Sequence, residues 1–173
     1  CIIEPIAGST GILVPPKGYL SRLRKICDKH GILLIFDEVI TGWGRTGSPF
    51  AAQEFNVTPD IMTLAKATTN GVVPMGVVAV RDGIYDTVID SAPEGAIELF
   101  HGYTYSGIPA AVAAALAVQD IFEKENIFNK VKELSPYFQE ALHSLRDLEC
   151  VENIRGYGLL GGVDIKKKDK PGK

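Results

Sequence analysis

Five apolar residues in a row, Ile32-Leu33-Leu34-Ile35-Phe36, end abruptly in Asp37-Glu38. A strand that meets water on one face alternates apolar and polar residues. An unbroken run fits a strand covered on both faces, as in a parallel sheet. The residues before it favour a helix. Leu20, Leu23, Ile26 and Cys27 fall at helical spacing within residues 18–30, and Gly31 supplies a left-handed stop. Two further short apolar runs follow, Ile61-Met62-Thr63-Leu64-Ala65 and Val77-Val78-Ala79-Val80, the second placed to return antiparallel. Residues 1–4 read as the end of another strand. Helix alternating with short apolar strands predicts an α/β fold with a mainly parallel sheet and flanking helices.

The second half is more helical. Residues 109–124 read as a helix with Pro109 in its first turn and an Ala-rich face. Residues 127–148 read as another amphipathic helix, bent or broken at Pro136. Residues 150–154 and 159–165 then suit strands of a separate small layer, the start of a small α+β domain. The predicted division is 1–125 for the later part of a large domain and 126–173 for a linking helix and the beginning of the small one. The chain starts at Cys1 without an initiator Met and ends in a Lys-rich loop, so the expectation is a piece of a longer protein.

Composition narrows the function classes. With 18 Lys+Arg against 21 Asp+Glu the formal charge is −3, which argues against a nucleic-acid partner. The longest nearly apolar stretch, residues 107–118, contains Pro109 and is shorter than the roughly twenty residues of a membrane span. Cys1, Cys27 and Cys150 form no C-x-x-C pair, so a reducing, cytoplasmic setting is the default. Cys27 on the apolar helix face reads as core, and His30, His101 and His143 lack metal-ligand spacing. Gly156-Tyr157-Gly158-Leu159-Leu160-Gly161 matches G-x-G-x-x-G. The strand-like Gly162-Val163-Asp164-Ile165 after it rules out a dinucleotide fingerprint, which needs a helix there, and favours a glycine-bent hairpin.

Two strand ends carry reactive groups. Asp37 follows the five-residue run, at the carboxyl end where ligands bind in open α/β sheets. It reads either as a carboxylate for a cationic ligand group or as a cap of the next turn or a partner of an Arg. Lys66 ends the next strand beside a Gly-rich loop, and reads either as an amine nucleophile or as a lysine snorkelling to solvent. The two lie 29 positions apart, room for one crossover between neighbouring strands. An amine for a Schiff base and a carboxylate for a pyridinium nitrogen are the pair that pyridoxal phosphate requires. Residues 101–107, rich in hydroxyls, precede the helix at Pro109 and suit either a phosphate site at a helix N-terminus or plain capping by Ser106.

Ile35-Phe36-Asp37-Glu38-Val39-Ile40-Thr41-Gly42, with Gly44-Arg45-Thr46-Gly47, resembles the class III aminotransferases that use pyridoxal phosphate. The resemblance runs nearly end to end. It includes Glu4-Pro5-Ile6-Ala7-Gly8-Ser9-Thr10-Gly11, Pro59-Asp60 through Lys66, and Glu98-Leu99-Phe100-His101-Gly102-Tyr103-Thr104-Tyr105-Ser106-Gly107. The last block is most similar to ω-amino acid:pyruvate (β-alanine:pyruvate) aminotransferases. The resemblance implies the fold type I of pyridoxal-phosphate-dependent transferases and transfer of an amino group from an ω-amino acid or amine to pyruvate or a similar oxo acid. Aminomutase or decarboxylase chemistry on the same residues, and a chain inactive on its own, are the alternatives.

It also implies roles: Lys66 as the catalytic, cofactor-linked lysine, Asp37 at the pyridinium nitrogen, Val39 against one ring face, and Thr104 at the phosphate. Thr104 would reach across from a neighbouring subunit of a homodimer or dimer of dimers. Glu4 would border the substrate. Two positions depart from the family pattern: Ala67 stands where Gly is usual after the lysine, and Ile108 where His is usual. The family's main phosphate-cradling loop, the aromatic on the other ring face and the arginine for a substrate carboxylate have no counterpart in these residues.

Overall fold

The computed structural model describes residues 1–99, 101 and 103–166. Phe100 and Gly102 of the last resemblance block, and the end of the Lys-rich tail, lie outside the described residues. Six strands and five α-helices follow in the order β1 (Ile2–Ile3), α1 (Tyr19–His30), β2 (Ile35–Asp37), α2 (Ala51–Glu54), β3 (Ile61–Leu64), β4 (Val77–Val80), α3 (Asp82–Asp90), α4 (Pro109–Lys124), α5 (Ile127–His143), β5 (Val151–Tyr157) and β6 (Leu160–Ile165). The first four strands form one sheet in chain order, and β5 and β6 form a second of two strands. β1, β2 and β3 run parallel, and β4 returns antiparallel on β3, as the sequence suggested. The result is a mixed, mainly parallel α/β sheet with flanking helices, and a small antiparallel layer after α5.

The apolar run is only partly buried. Leu34 and Phe36 are fully enclosed, but Ile32 and Leu33 are 43% and 45% exposed, and the strand proper starts at Ile35. The first two residues belong to the connection from α1; Leu34 and Phe36 lie on one face of the extended chain, and Ile35 on the other is only half-buried, so the run is fully covered on one face and not on both. Asp60 explains the boundary. Its carboxylate accepts the Leu34 amide at 2.7 Å, and its own amide donates to the Leu34 carbonyl at 2.8 Å, so Asp60 clasps Leu34 where the ladder with β3 begins, and the Ile61 amide shares that carbonyl at 3.3 Å. Burial pushes the Asp60 carboxyl up, but the Leu34 amide and then the Arg24 and Arg81 guanidinium groups outweigh it and hold it below its ordinary value. Leu20, Cys27, Leu34, Phe36 and Val57 make the core between α1 and the sheet. Each large side chain buried there stabilises the fold by about 1.5–3 kcal/mol. Cys27 is core, as read from the helix face.

Helix ends follow local chemistry. Gly31 closes α1 in the left-handed region at φ 62°. α4 starts at Pro109 as expected, but its cap is Ile108 and no side chain caps it, so Ser106 does not play the capping part. α5 runs through Pro136 without breaking and tightens into a 3₁₀ turn over Ser144–Asp147. Two helices have no counterpart in the sequence reading. α2 is one turn long, and α3 carries Gly83 and β-branched residues that disfavour helix and buries no side chain.

Candidate active site

β2 and β3 are in register, with Asp37 opposite Thr63. Asp37 is therefore the last ladder residue of its strand, and the Glu38 amide still donates to the Thr63 carbonyl at 2.9 Å. Lys66 comes two residues after β3 ends, so both groups stand at the same, carboxyl end of neighbouring parallel strands. Asp37 also makes a local turn: its Oδ1 accepts the Val39 amide at 3.1 Å. Both readings of Asp37 thus keep a footing, since that bond occupies one oxygen.

Between Asp37 and Val39 the chain is pinned by Glu38, which is fully buried. Its carboxylate accepts the amides of Ala51 at 2.6 Å and Ala52 at 2.8 Å, and the Thr41 hydroxyl at 3.1 Å. Burial pushes the Glu38 carboxyl up, and the three hydrogen bonds work against that shift. The next turn closes tightly, the Gly42 amide donating to the Glu38 carbonyl at 2.9 Å. A side chain at Gly42 would meet that carbonyl oxygen at 2.7 Å, so only glycine fits.

Lys66 opens a 3₁₀ turn, Lys66–Thr68, with φ 46°. A lysine in the left-handed region is uncommon, and such strain gathers where a side chain must be aimed. The amine is exposed. Thr68 holds the turn: its amide and its hydroxyl both donate to the Ala65 carbonyl at 3.0 Å.

A cavity of about 750 Å³ lies against these strand ends. Val39, Thr63, Leu64 and Ala65 border it on one side, and residues 103–108, Thr104 among them, on another. Val39 and Thr104 therefore meet one space within a single chain. Asp37 and Lys66 are not among its lining residues, although the ladder partner of the first and the neighbour of the second are. Thr104 is exposed, in a turn flanked by Tyr103 and Tyr105 at 72% and 81% exposure. Glu4 is not part of this cavity. Its Oε2 accepts the Gly8 amide at 2.8 Å, and it borders a separate space of about 260 Å³ with Leu13 and Tyr19.

Sequence reading passed over Trp43 and Thr68. The Trp43 indole donates to Thr68 Oγ1 at 2.9 Å, which links the loop after Asp37 to the turn of Lys66. A tryptophan set among glycines was the available signal, because a half-buried indole N–H needs an acceptor. The G-x-G-x-x-G segment is the β5–β6 hairpin, with Gly156 paired to Gly161 and the turn at Gly158, φ 57°. It docks on the glycine-rich loop, the Leu159 amide donating to the Arg45 carbonyl at 2.9 Å. A side chain on Gly158 would meet that carbonyl oxygen at 2.5 Å.

Among known proteins, the family model described as aminotransferase class-III matches residues 1–172. An omega-aminotransferase of Caulobacter vibrioides is 54% identical over 167 residues, covering 96% of this chain and 38% of the relative. An omega-amino acid–pyruvate aminotransferase of Pseudomonas putida is 52% identical over 96% of this chain and 37% of its own length. The crystal structure of an (S)-enantioselective omega-transaminase from Thermomicrobium roseum superposes with a TM-score of 0.90 at 41% identity, over 96% of this chain and 36% of that one. The chain thus spans less than two-fifths of the length of the relatives it matches. With the family's pattern running from one end to the other on the same fold, this chain belongs to the class III aminotransferases.

Proposed function

We propose that the protein carrying this chain is a pyridoxal-phosphate-dependent aminotransferase, taking the amino group of an ω-amino acid or amine and passing it to pyruvate or a similar oxo acid. One observation carries the reading: an amine, Lys66, and a carboxylate, Asp37, stand at the same end of adjacent parallel strands, beside a cavity bordered by Val39. The donor set fits the cofactor, since it offers a primary amine, an anion and an apolar face, with the Thr104 hydroxyl available to a neighbouring subunit. The relatives' omega-amino acid–pyruvate activity supports the choice of substrates.

Bound there, the cofactor supplies an aldehyde for exchange of amines and a ring that accepts electrons. Lys66 Nζ would hold it and would be the group that moves the proton at the substrate Cα. Asp37 holds a proton on the ring nitrogen, while its bond to the Val39 amide fixes the carboxylate's direction. Val39 packs against the ring. Thr104 Oγ1 donates to the phosphate, and its exposed turn fits a loop serving the cofactor of a neighbouring subunit in a homodimer or dimer of dimers. Glu4 borders the substrate in this reading and also holds the loop at Gly8. A cytoplasmic setting and a division near residue 125 belong to the same proposal; among the described residues no helix is long and apolar enough to cross a membrane.

The test is a product assay on the intact protein with β-alanine or a primary amine as donor and pyruvate as acceptor. Alanine formed in step with donor consumption supports amino transfer. Release of CO2 without alanine would favour a decarboxylase on the same residues.

A further inference from the structure

The loop after Asp37 and the turn of Lys66 are joined by one side-chain hydrogen bond. Trp43, the chain's single tryptophan, donates its indole N–H to Thr68 Oγ1 at 2.9 Å. Thr68 is 3% exposed, and its hydroxyl donates a hydrogen bond to the Ala65 carbonyl at 3.0 Å. That carbonyl also receives the Thr68 amide, which closes the turn over Lys66. The indole is held in place from both sides. Phe50 meets it edge-on at 5.2 Å between ring centroids, and Phe122 of α4 stacks on it at 5.9 Å. Phe122 in turn touches Phe128 of α5 at 5.4 Å. Trp43 itself sits at φ 62°, a left-handed conformation that a bulky residue adopts only when its surroundings impose it.

We propose that Trp43 and Thr68 are positioning residues for Lys66: their hydrogen bond holds the left-handed turn that aims the lysine amine at the cofactor. The proposal rests on the reading of Lys66 as the cofactor-linked lysine. Thr68 cannot serve two directions freely. With its hydroxyl proton committed to Ala65, its oxygen is available only as an acceptor, and the indole N–H is the donor that meets it. Removing the indole frees the Thr68 hydroxyl to turn away, removing the hydroxyl takes its bond to Ala65 as well, and either change lets the backbone at Lys66 relax toward an ordinary negative φ. The condensation at Lys66 Nζ would replace the aldehyde's carbon–oxygen double bond with a carbon–nitrogen double bond, the oxygen leaving as water with the two amine hydrogens. It would then begin from a misaimed amine, and such misplacement costs rate rather than fold.

The readout is the rate at which borohydride-stable label appears on the Lys66 peptide after cofactor-free intact protein meets pyridoxal phosphate. Trp43→Phe, which keeps the aromatic packing, and Thr68→Val, which keeps the volume, should each slow labelling about tenfold. Thr68→Ser should stay within roughly twofold of wild type, because it restores the acceptor. The double variant should be no slower than the slower single one, since Trp43→Phe removes only a bond that Thr68→Val has already removed. Wild-type labelling rates in Trp43→Phe and Thr68→Val, with only a lowered unfolding midpoint, would overturn the proposal. If Trp43→Phe folds poorly, the Val and Ser variants at Thr68 decide it by the same criterion. Absence of label on wild-type Lys66 would overturn the underlying reading instead, a result these variants cannot imitate.

Discussion

The two sides of the cavity are built differently. On the side of Asp37 and Val39 the chain is locked by its own interior, with Glu38 fully buried and three donors on its carboxylate. On the side of Thr104 the chain is open. Ile97, Leu99, Tyr103 and Tyr105 are all more than 60% exposed, and the turn is held by a bond from the Ser106 amide to the Tyr103 carbonyl at 3.0 Å. The first side is set by this chain's folding. The second has apolar surface to give to another surface, which is the physical content of the proposal that Thr104 serves a neighbouring subunit.

Substitutions should separate the two sides, and the largest effect belongs to Lys66, next in the chain to the cavity-lining Ala65. Lys66→Ala should lower amino transfer by about a thousandfold or more, because it removes both the covalent anchor and the proton carrier. Its unfolding curve should stay close to wild type, since the side chain is exposed.

Next comes the locked side. Glu38→Ala leaves the Ala51 and Ala52 amides without their acceptor, at a cost of about 3 kcal/mol in urea unfolding. The sign of its pH dependence follows from the upward shift. A carboxyl whose folded value is raised contributes stability fully below its ordinary value and loses it as pH rises through the folded one. The stability of wild type relative to Glu38→Gln should therefore decline across that window.

The open side should behave in the opposite way. Thr104→Ala should weaken cofactor binding roughly tenfold, measured by equilibrium dialysis, while moving unfolding by less than about 0.5 kcal/mol. A stability loss as large as that of Glu38→Ala would erase the contrast.

The smallest effect lies away from the cavity, where β5 meets α2. The Tyr157 hydroxyl donates to Glu54 Oε1 at 2.6 Å. Burial and then the Glu54 carboxylate push the phenol up to about 12. Tyr157→Phe should cost about 1 kcal/mol. In the wild type this contribution should be complete below the ordinary phenol value of about 10 and fade as pH climbs toward the folded value.

The same contrast explains what the sequence made legible. Strand positions, the antiparallel return of β4, the start of α4 and the β5–β6 hairpin came from patterns within short windows: apolar runs, Pro at a helix start, glycine at turns. Asp37 and Lys66 stood out because each follows an apolar run directly. The resemblance to the family, rather than spacing, assigned Val39, Thr104 and Glu4. What stayed hidden depends on contacts between distant residues. The exposed start of the apolar run follows from Asp60 capturing Leu34, a contact spanning 26 positions. The bond from Trp43 to Thr68 spans 25, and a tryptophan among glycines signals a need for an acceptor without naming which residue supplies it. α3 lay outside the patterns because its apolar positions, Ile84, Val88 and Ile89, are few, only half-buried and mixed with Gly83 and β-branched residues that disfavour helix.

The central claim is that Lys66 is the lysine that holds the cofactor. It is tested most directly by incubating the intact protein with pyridoxal phosphate, reducing with borohydride, and mapping the labelled peptide by mass spectrometry. The account predicts one reduced adduct, on Lys66, and none in Lys66→Ala. Label spread over surface lysines, or an equal yield from Lys66→Ala, would contradict it.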